Sequence, residues 1–338
     1  MARALVTGGT GFTGAHVADA LAEAGYAVRT LDLNRPAPDE QERHEFVQAD
    51  TRDARAMREA ARGCELVVEN AALVPVTRSR PEQYRSVNVD GCRVTLDAAE
   101  AEGAHVVRIS SSAIYGVPVR LPVPADAPLA PFEPYGRSKA EAEQLVAERR
   151  RAGLPVASLR PRTLLGPGRL GLFDVIFARV RSGSRVPIFG RGANRSQLLD
   201  VEDLCSAVLA AAERRASGNY NVGSAGFGTV REDIEGLIEH AGTRARVLPV
   251  PAWAIRALLR PLALAGRSPF TAWHWGSADA DFVLDLTRTE QELGWRSRHT
   301  NADALARAYD DYLRRSAAGG SSPHRRPLQG ALARLLRG

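Results

Sequence analysis

Lysine is nearly absent from this chain. Of its 45 lysine and arginine residues, Lys139 alone is lysine. Cysteine is sparse too: Cys64, Cys92 and Cys205 are scattered, odd in number and without the spacing of metal ligands. That pattern excludes a disulfide framework, gives no metal site, and suits reduced thiols in a cytoplasm. No apolar run reaches the roughly 18 residues of a membrane span. The start lacks a charged region and a cleavage pattern, so no targeting segment is expected. Internal repeats are missing as well. Acidic residues are absent after Leu313, where six arginines account for the whole net charge of +6. The body is therefore neutral, which is a poor footprint for a nucleic-acid surface.

What is present is ordinary globular material, 44% hydrophobic and 25% charged over 338 residues. That length suits one large domain or two lobes sharing a cleft. Short apolar runs alternate with helical patterns through the first half. RALVT, YAVRTLDLN, EFVQAD, CELVVENAA, AHVVRISSSAIYG and LPVASLRPR read as six successive strands. Intervening stretches such as DARAMREAARG and SVNVDGCRVTLDAAEAEG read as helices. The fold class expected is α/β, a Rossmann-type doubly wound parallel sheet with a smaller mixed α/β substrate-binding lobe. The dinucleotide-binding domain is placed at 1–165 and is rejoined by about 195–224. The lobe takes 166–194 and 225–315, and 316–338 is a basic tail whose LQGALARLL could form a short helix.

Thr7-Gly8-Gly9-Thr10-Gly11-Phe12-Thr13-Gly14 joins the first strand to the first helix. Gly8 permits the tight turn, Gly11 lets a pyrophosphate approach the backbone, and Gly14 lets helix and strand pack closely. Phe12 and Thr13 open the helix, whose free N–H groups and partial positive charge suit phosphates. Asp32 follows 18 residues after Gly14 at the end of the second strand, placed to accept hydrogen bonds from a ribose diol. A carboxylate there repels a 2′-phosphate and favours NAD over NADP, a preference that Arg35 softens. Asp50, followed by Thr51, ends the third strand. Asp50 either reaches the adenine or caps the helix that starts near Asp53.

Tyr135 and Lys139 are four residues apart, on one face of a helix. A nearby ammonium stabilises a phenolate, so Tyr135 can exchange the proton of a substrate hydroxyl near neutral pH. A compact ammonium fits this task where a broad planar guanidinium does not, which explains why arginine has not replaced Lys139. Ser110-Ser111-Ser112 ends the fifth strand, at the sheet edge where ligands of parallel sheets bind. A serine hydroxyl there can polarise the oxygen that Tyr135 protonates.

Together, T-G-x-x-G-x-x-G, Ser-x-x-x-Tyr-Gly and Tyr-x-x-x-Lys resemble the extended short-chain dehydrogenase/reductases, the NAD-dependent epimerase/dehydratase family. Further matching pieces run in order from Val87-Asn88-Val89-Asp90-Gly91 through Arg160-Pro161 and Gly166-Pro167-Gly168 to Glu292-Leu293-Gly294-Trp295. The resemblance implies Tyr135 as general acid/base, Lys139 as its partner, and Ser111 as the catalytic serine with Ser112 the close alternative. It implies that Ala71-Ala72 pass the cofactor. It leaves Asn88 either near the site or a buried structural polar group. Arg195 matches an arginine that meets a diphosphate, and Thr163 stands where asparagine is common. It also implies a homodimer.

Departures narrow the activity. The family's 4,6-dehydratases carry Asp-Glu after the catalytic threonine, where this chain has Ser112-Ala113, and alanine transfers no proton. The expectation is an NAD-dependent epimerase of a nucleotide sugar, acting through a transient ketone. A reductase of a nucleotide-sugar ketone or other carbonyl compound is the alternative, and a non-catalytic NAD-binding protein a third. Trp273-His274-Trp275 packs a lid or stacks on sugar or base.

Overall fold

The computed structural model describes residues 1–36, 43–75, 79–168, 172–254, 257 and 279–317. Trp273-His274-Trp275 and the LQGALARLL segment lie outside the described residues. Seven strands form one parallel sheet: β1 (Arg3–Thr7), β2 (Ala27–Asp32), β3 (Glu45–Gln48), β4 (Leu66–Glu69), β5 (His105–Ile109), β6 (Val156–Pro161) and β10 (Gly218–Val222). Their spatial order is β10-β6-β5-β4-β1-β2-β3, so the winding reverses between β1 and β4. A doubly wound sheet leaves a crevice outside the carboxyl ends of its strands at that reversal.

Alternate residues of each strand feed opposite cores, as the two-residue period of a strand requires. Ala4 and Val6 join Val17, Leu21, Leu204 and Val208, contributed by α1 (Phe12–Glu23) and α7 (Val201–Glu213). Leu5 joins Met57, Leu96 and Val146 on the other face, from α2 (Ala54–Ala61), α4 (Gly91–Ala101) and α5 (Pro134–Arg151). Both faces are dry, which is why these strands read as short continuous apolar runs.

Two expectations need correction. The helix read from Ser86 starts earlier, as α3 (Pro81–Arg85), and continues through a π turn (Ser86–Asp90) into α4. The fifth strand is shorter than AHVVRISSSAIYG: it stops at Ile109, and Ser112–Tyr115 form a 3₁₀ turn. The cause is local. The Ser111 hydroxyl oxygen accepts the Ala113 N–H at 3.1 Å, and Gly116 closes the turn at φ 67°. No side chain fits at Gly116, because a Cβ would stand 2.1 Å from the Ala130 carbonyl oxygen.

Beyond β6 the chain builds a separate layer. β7 (Thr163–Leu165) pairs with β9 (Leu198–Asp200), and β8 (Arg185–Phe189) with β11 (Arg246–Val250), both parallel. A third core holds Phe177 of α6 (Leu172–Arg181), Leu237 of α8 (Val230–His240), and Tyr309 and Tyr312 of the last described helix, α10 (Asn301–Ala317). The helix before it, α9 (Thr287–Leu293), packs Leu293 into the first core. Asn301 fastens α10 to this layer, its amide accepting from Leu198 N and donating to Ser196 O and Asp233.

Candidate active site

The glycine turn sits at the winding reversal. Gly8 has φ 67°, in the left-handed region that favours glycine. Gly14 has no room for a side chain: a Cβ would lie 2.0 Å from the Gly8 carbonyl oxygen. Gly11 caps α1 without a side-chain hydrogen bond, so the N–H groups of the first turn face outward for an anion. Asp32 is held over the turn, accepting from Thr10 N at 3.2 Å and Asn34 N at 3.0 Å. These features fit a dinucleotide: a close-approach turn, a bare helix N-terminus and a carboxylate at the end of β2.

Ala71 and Ala72 follow β4 directly alongside, since a Cβ at Gly8 would touch Ala71 Cα at 2.9 Å. Two residues outside the predicted site lock this junction. Thr7 Oγ1 accepts the N–H groups of Asn70 and Ala71, and the Asn70 amide donates to the carbonyls of Thr7 and Gly8. Gly9 was not singled out either, yet a Cβ there would meet Thr30 Cβ at 2.5 Å.

Asp50 does not cap α2. Asp53 does so, accepting from Arg55 N and Ala56 N. Asp50 instead grips Arg52 through its backbone N–H and both ends of the guanidinium. That pairing holds the Asp50 carboxyl below its ordinary range, against the effect of burial. Thr51 is buried under Gly91, where a Cβ would come 2.8 Å from its hydroxyl. Arg35 donates to Gln48 at the sheet edge.

Tyr135 and Lys139 face inward from the first turns of α5, 8% and 2% exposed. Glu133 caps this helix, accepting from Tyr135 N at 3.0 Å and Gly136 N at 2.6 Å, and burial pushes its carboxyl up. Tyr135 packs with Ala113, Tyr84 and Leu73, which draws the 3₁₀ turn, α3 and the loop after Ala72 around one phenol. Asn88 ties the same pieces by polar contacts. It accepts from Leu73 N and donates to Leu73 O and to Ser138 Oγ, whose hydroxyl donates to Tyr135 O. Both readings of Asn88 meet here: it is a buried structural group, and the structure it holds is the site.

Lys139 Nζ donates to Ile109 O at 2.9 Å, at the last residue of β5 and one step from the serine run. Burial pushes its ammonium down to about 8, with the Glu69 carboxylate pulling the other way. Below it lies a buried charge network. Glu143 pairs with Arg160 at 3.1 Å and Arg108 at 3.5 Å, and Arg108 with Glu69 at 3.0 Å. Arg160 also donates to the Tyr115 hydroxyl, which donates to Asn221. Against burial, Arg160 and Arg108 hold Glu143 at about 2. Sequence reasoning missed this network. Its signal was an acidic or arginine residue inside each of three largely apolar strands, Glu69, Arg108 and Arg160, since charges are almost never fully buried without partners.

The substrate candidates divide. Ser111 caps and Ser112 opens the 3₁₀ turn whose Ala113 packs on Tyr135, Ser112 buried and Ser111 partly exposed. Thr163 opens β7 directly after Arg162, whose guanidinium lies over the Phe282 ring at 3.9 Å. Arg195 is exposed, stacked over Phe227 at 4.9 Å, with its backbone bridged to Thr229 and Phe282. All three cysteines are buried free thiols. Among the described residues one carboxylate–histidine group, Asp200, Glu202 and His299, comes together elsewhere, with Arg307 paired to both carboxylates. Among the described residues no helix is long and apolar enough to cross a membrane.

Comparison with known proteins agrees with this geometry. The model of the NAD dependent epimerase/dehydratase family matches residues 4–223. The uncharacterized protein y4nG of Sinorhizobium fredii is 34% identical, covering 98% of this chain and 85% of its own length. A 4-hydroxy-2-methyl-3-oxo-4-farnesyl-3,4-dihydroquinoline-1-oxide ketoreductase of Stigmatella aurantiaca is 28% identical over 96% of this chain and 99% of its own. The crystal structure of UDP-glucose 4-epimerase from Thermotoga maritima, with UDP-glucose, superposes with TM-score 0.77 at 27% identity. It covers 93% of this chain and 99% of that one. With a glycine turn shaped for a dinucleotide and a Tyr135–Lys139 pair at the same sheet edge, the chain belongs to the NAD-dependent epimerase/dehydratase family and is an enzyme whose cofactor is NAD.

Proposed function

We propose that this enzyme epimerises a nucleotide sugar by oxidising one hydroxyl to a ketone and reducing it again. The observation that carries the reading is the buried Tyr135–Lys139 pair, anchored to the carboxyl end of β5 beside Ser111. The glycine turn, the first turn of α1 and Asp32 hold NAD. The cofactor, when bound, supplies the hydride acceptor and afterwards the donor. Tyr135, as phenolate, takes the proton of the substrate hydroxyl and later returns it to the oxygen. Lys139 keeps its charge at neutral pH and supports that phenolate. Ser111 accepts from Ala113 N, so its own proton is left to donate to the substrate oxygen and orient it.

Ala113 supports an epimerase over a dehydratase. It is 6% exposed, packed on Tyr135 and Tyr84, and offers no proton to a neighbouring carbon. A transient ketone needs only Ser111, Tyr135 and Lys139. Proton NMR of the enzyme with catalytic NAD⁺ and a panel of UDP-, GDP-, TDP- and CDP-sugars tests the reading. New anomeric signals without net NADH are expected, and Tyr135→Phe should slow their appearance about 10²–10⁴-fold. Near-full activity in Tyr135→Phe refutes the mechanism.

The likeness to the Stigmatella ketoreductase favours one second reading, a reductase of a carbonyl compound outside the sugar nucleotides. Thr163, in place of the common asparagine, supports it too. Silence across the sugar panel, together with stoichiometric consumption of reduced cofactor by a ketone, would establish it in place of the first.

A further inference from the structure

Glu69 and Arg108 are register partners on β4 and β5, 2% and 0% exposed, with Oε2 and Nε 3.0 Å apart. Both lie on inner strands of the parallel sheet, β4 between β1 and β5, and β5 between β4 and β6. Replacing such a buried pair with well-packed apolar residues is often neutral or stabilising, so stability alone does not account for it. Its location does. Arg108 immediately precedes Ile109, the residue whose carbonyl receives Lys139 Nζ. Glu143, one turn after Lys139 on α5, extends the network to Arg160. Glu69 and Glu143 balance Arg108 and Arg160, which leaves the Lys139 ammonium as the unbalanced charge of this cluster. The groups acting on that ammonium are Glu69 from β4, Cys92 from α4, Arg108 from β5, and Glu143 from α5, with Tyr135 one turn before it on the same face. Cys92 stays a neutral thiol, because burial pushes it up to about 12.

We propose that Glu69 and Arg108 are positioning residues that set how firmly Lys139 holds its proton, and through Lys139 the pH range in which Tyr135 works as a base. This rests on the reading of Tyr135 and Lys139 as the acid/base pair. The Glu69 carboxylate favours the ammonium and the Arg108 guanidinium opposes it, so the pair acts as a fixed dipole under the lysine. Neither residue touches substrate.

The chain's single lysine makes the test direct. Protein labelled with ¹³C-lysine gives one Cε signal, whose shift against pH reads the Lys139 midpoint in the full-length enzyme with NAD⁺. Glu69→Gln is expected to lower the midpoint by roughly one unit or more. The double variant Glu69→Gln/Arg108→Gln, which removes both opposing charges, is expected to restore most of it. Unchanged midpoints in both variants overturn the proposal, and so does an equal shift in both, which would mark a packing defect. If Glu69→Gln fails to fold, Glu69→Asp withdraws the carboxylate by one methylene and should give a smaller downward shift; none overturns the proposal. No substrate enters this titration, so its failure is separate from any failure of the Tyr135→Phe test.

Discussion

Lys139→Met should make the protein more stable while abolishing its chemistry. The wild-type ammonium is 2% exposed and has been pushed from 10.5 down to about 8, chiefly by burial. A displacement of that size is worth about 3 kcal/mol against the folded state at any pH below 8. Methionine fills the same unbranched volume and forfeits one hydrogen bond to Ile109 O, about 1 kcal/mol. The expected net gain at pH 7 is about 2 kcal/mol, a Tm rise of a few degrees. The sign follows from proton counting. Between pH 8 and 10.5 the unfolded wild type binds the lysine proton and the folded one does not, so wild-type stability climbs with pH. The advantage of Lys139→Met should therefore shrink from pH 8 upward. Urea unfolding of both proteins at pH 7, 8, 9 and 9.5 measures it, with NMR turnover of the sugar panel measured alongside. A variant less stable than wild type at pH 7, or an advantage that does not change with pH, refutes the reasoning.

Gly14→Ala places a Cβ 2.0 Å from the Gly8 carbonyl oxygen, so the turn must open. Its Kd for NAD⁺ by isothermal titration calorimetry should rise at least about tenfold, and an unchanged Kd would show that the turn does not shape the cofactor site. Glu143→Gln strips the carboxylate from between Arg108 and Arg160 and should cost about 3–5 kcal/mol in denaturant unfolding. His105 is 1% exposed, its Nε2 bonded to Ala216 O at 2.8 Å, and burial holds it below 6.5. Its folded form stays neutral where the unfolded chain takes up a proton, so stability should fall as pH drops below 6.5. Urea midpoints from pH 5 to 7 should slope less in His105→Gln than in wild type, and equal slopes would remove His105 as the cause.

The strands and the placement of Tyr135 and Lys139 were legible because each rests on local pattern. Short continuous apolar runs mark strands that bury both faces. Glycines at fixed offsets mark a turn that the backbone alone must make. Tyr135 and Lys139 share a helix face whatever surrounds them. Element ends were less legible. The fifth strand stopped early because the Ser111 hydroxyl captured a backbone N–H that a strand would have paired across the sheet. Asp50 and Asp53 offered two carboxylates to one helix start, and the competition went to the residue next to the first turn, while Arg52 drew Asp50 away.

By itself, then, the sequence made legible the strands and helices of a doubly wound sheet, the glycine turn and the Tyr135–Lys139 spacing, all of them patterns among residues near one another in the chain. Only the tertiary structure decided what stands beneath that pair. Glu69, Arg108, Glu143 and Arg160 come from three strands and one helix, up to 91 positions apart, and nothing in the sequence says which of them meet. They can be buried only because packing brings opposite charges within 3.0–3.5 Å of one another, and strand register fixes which charge meets which.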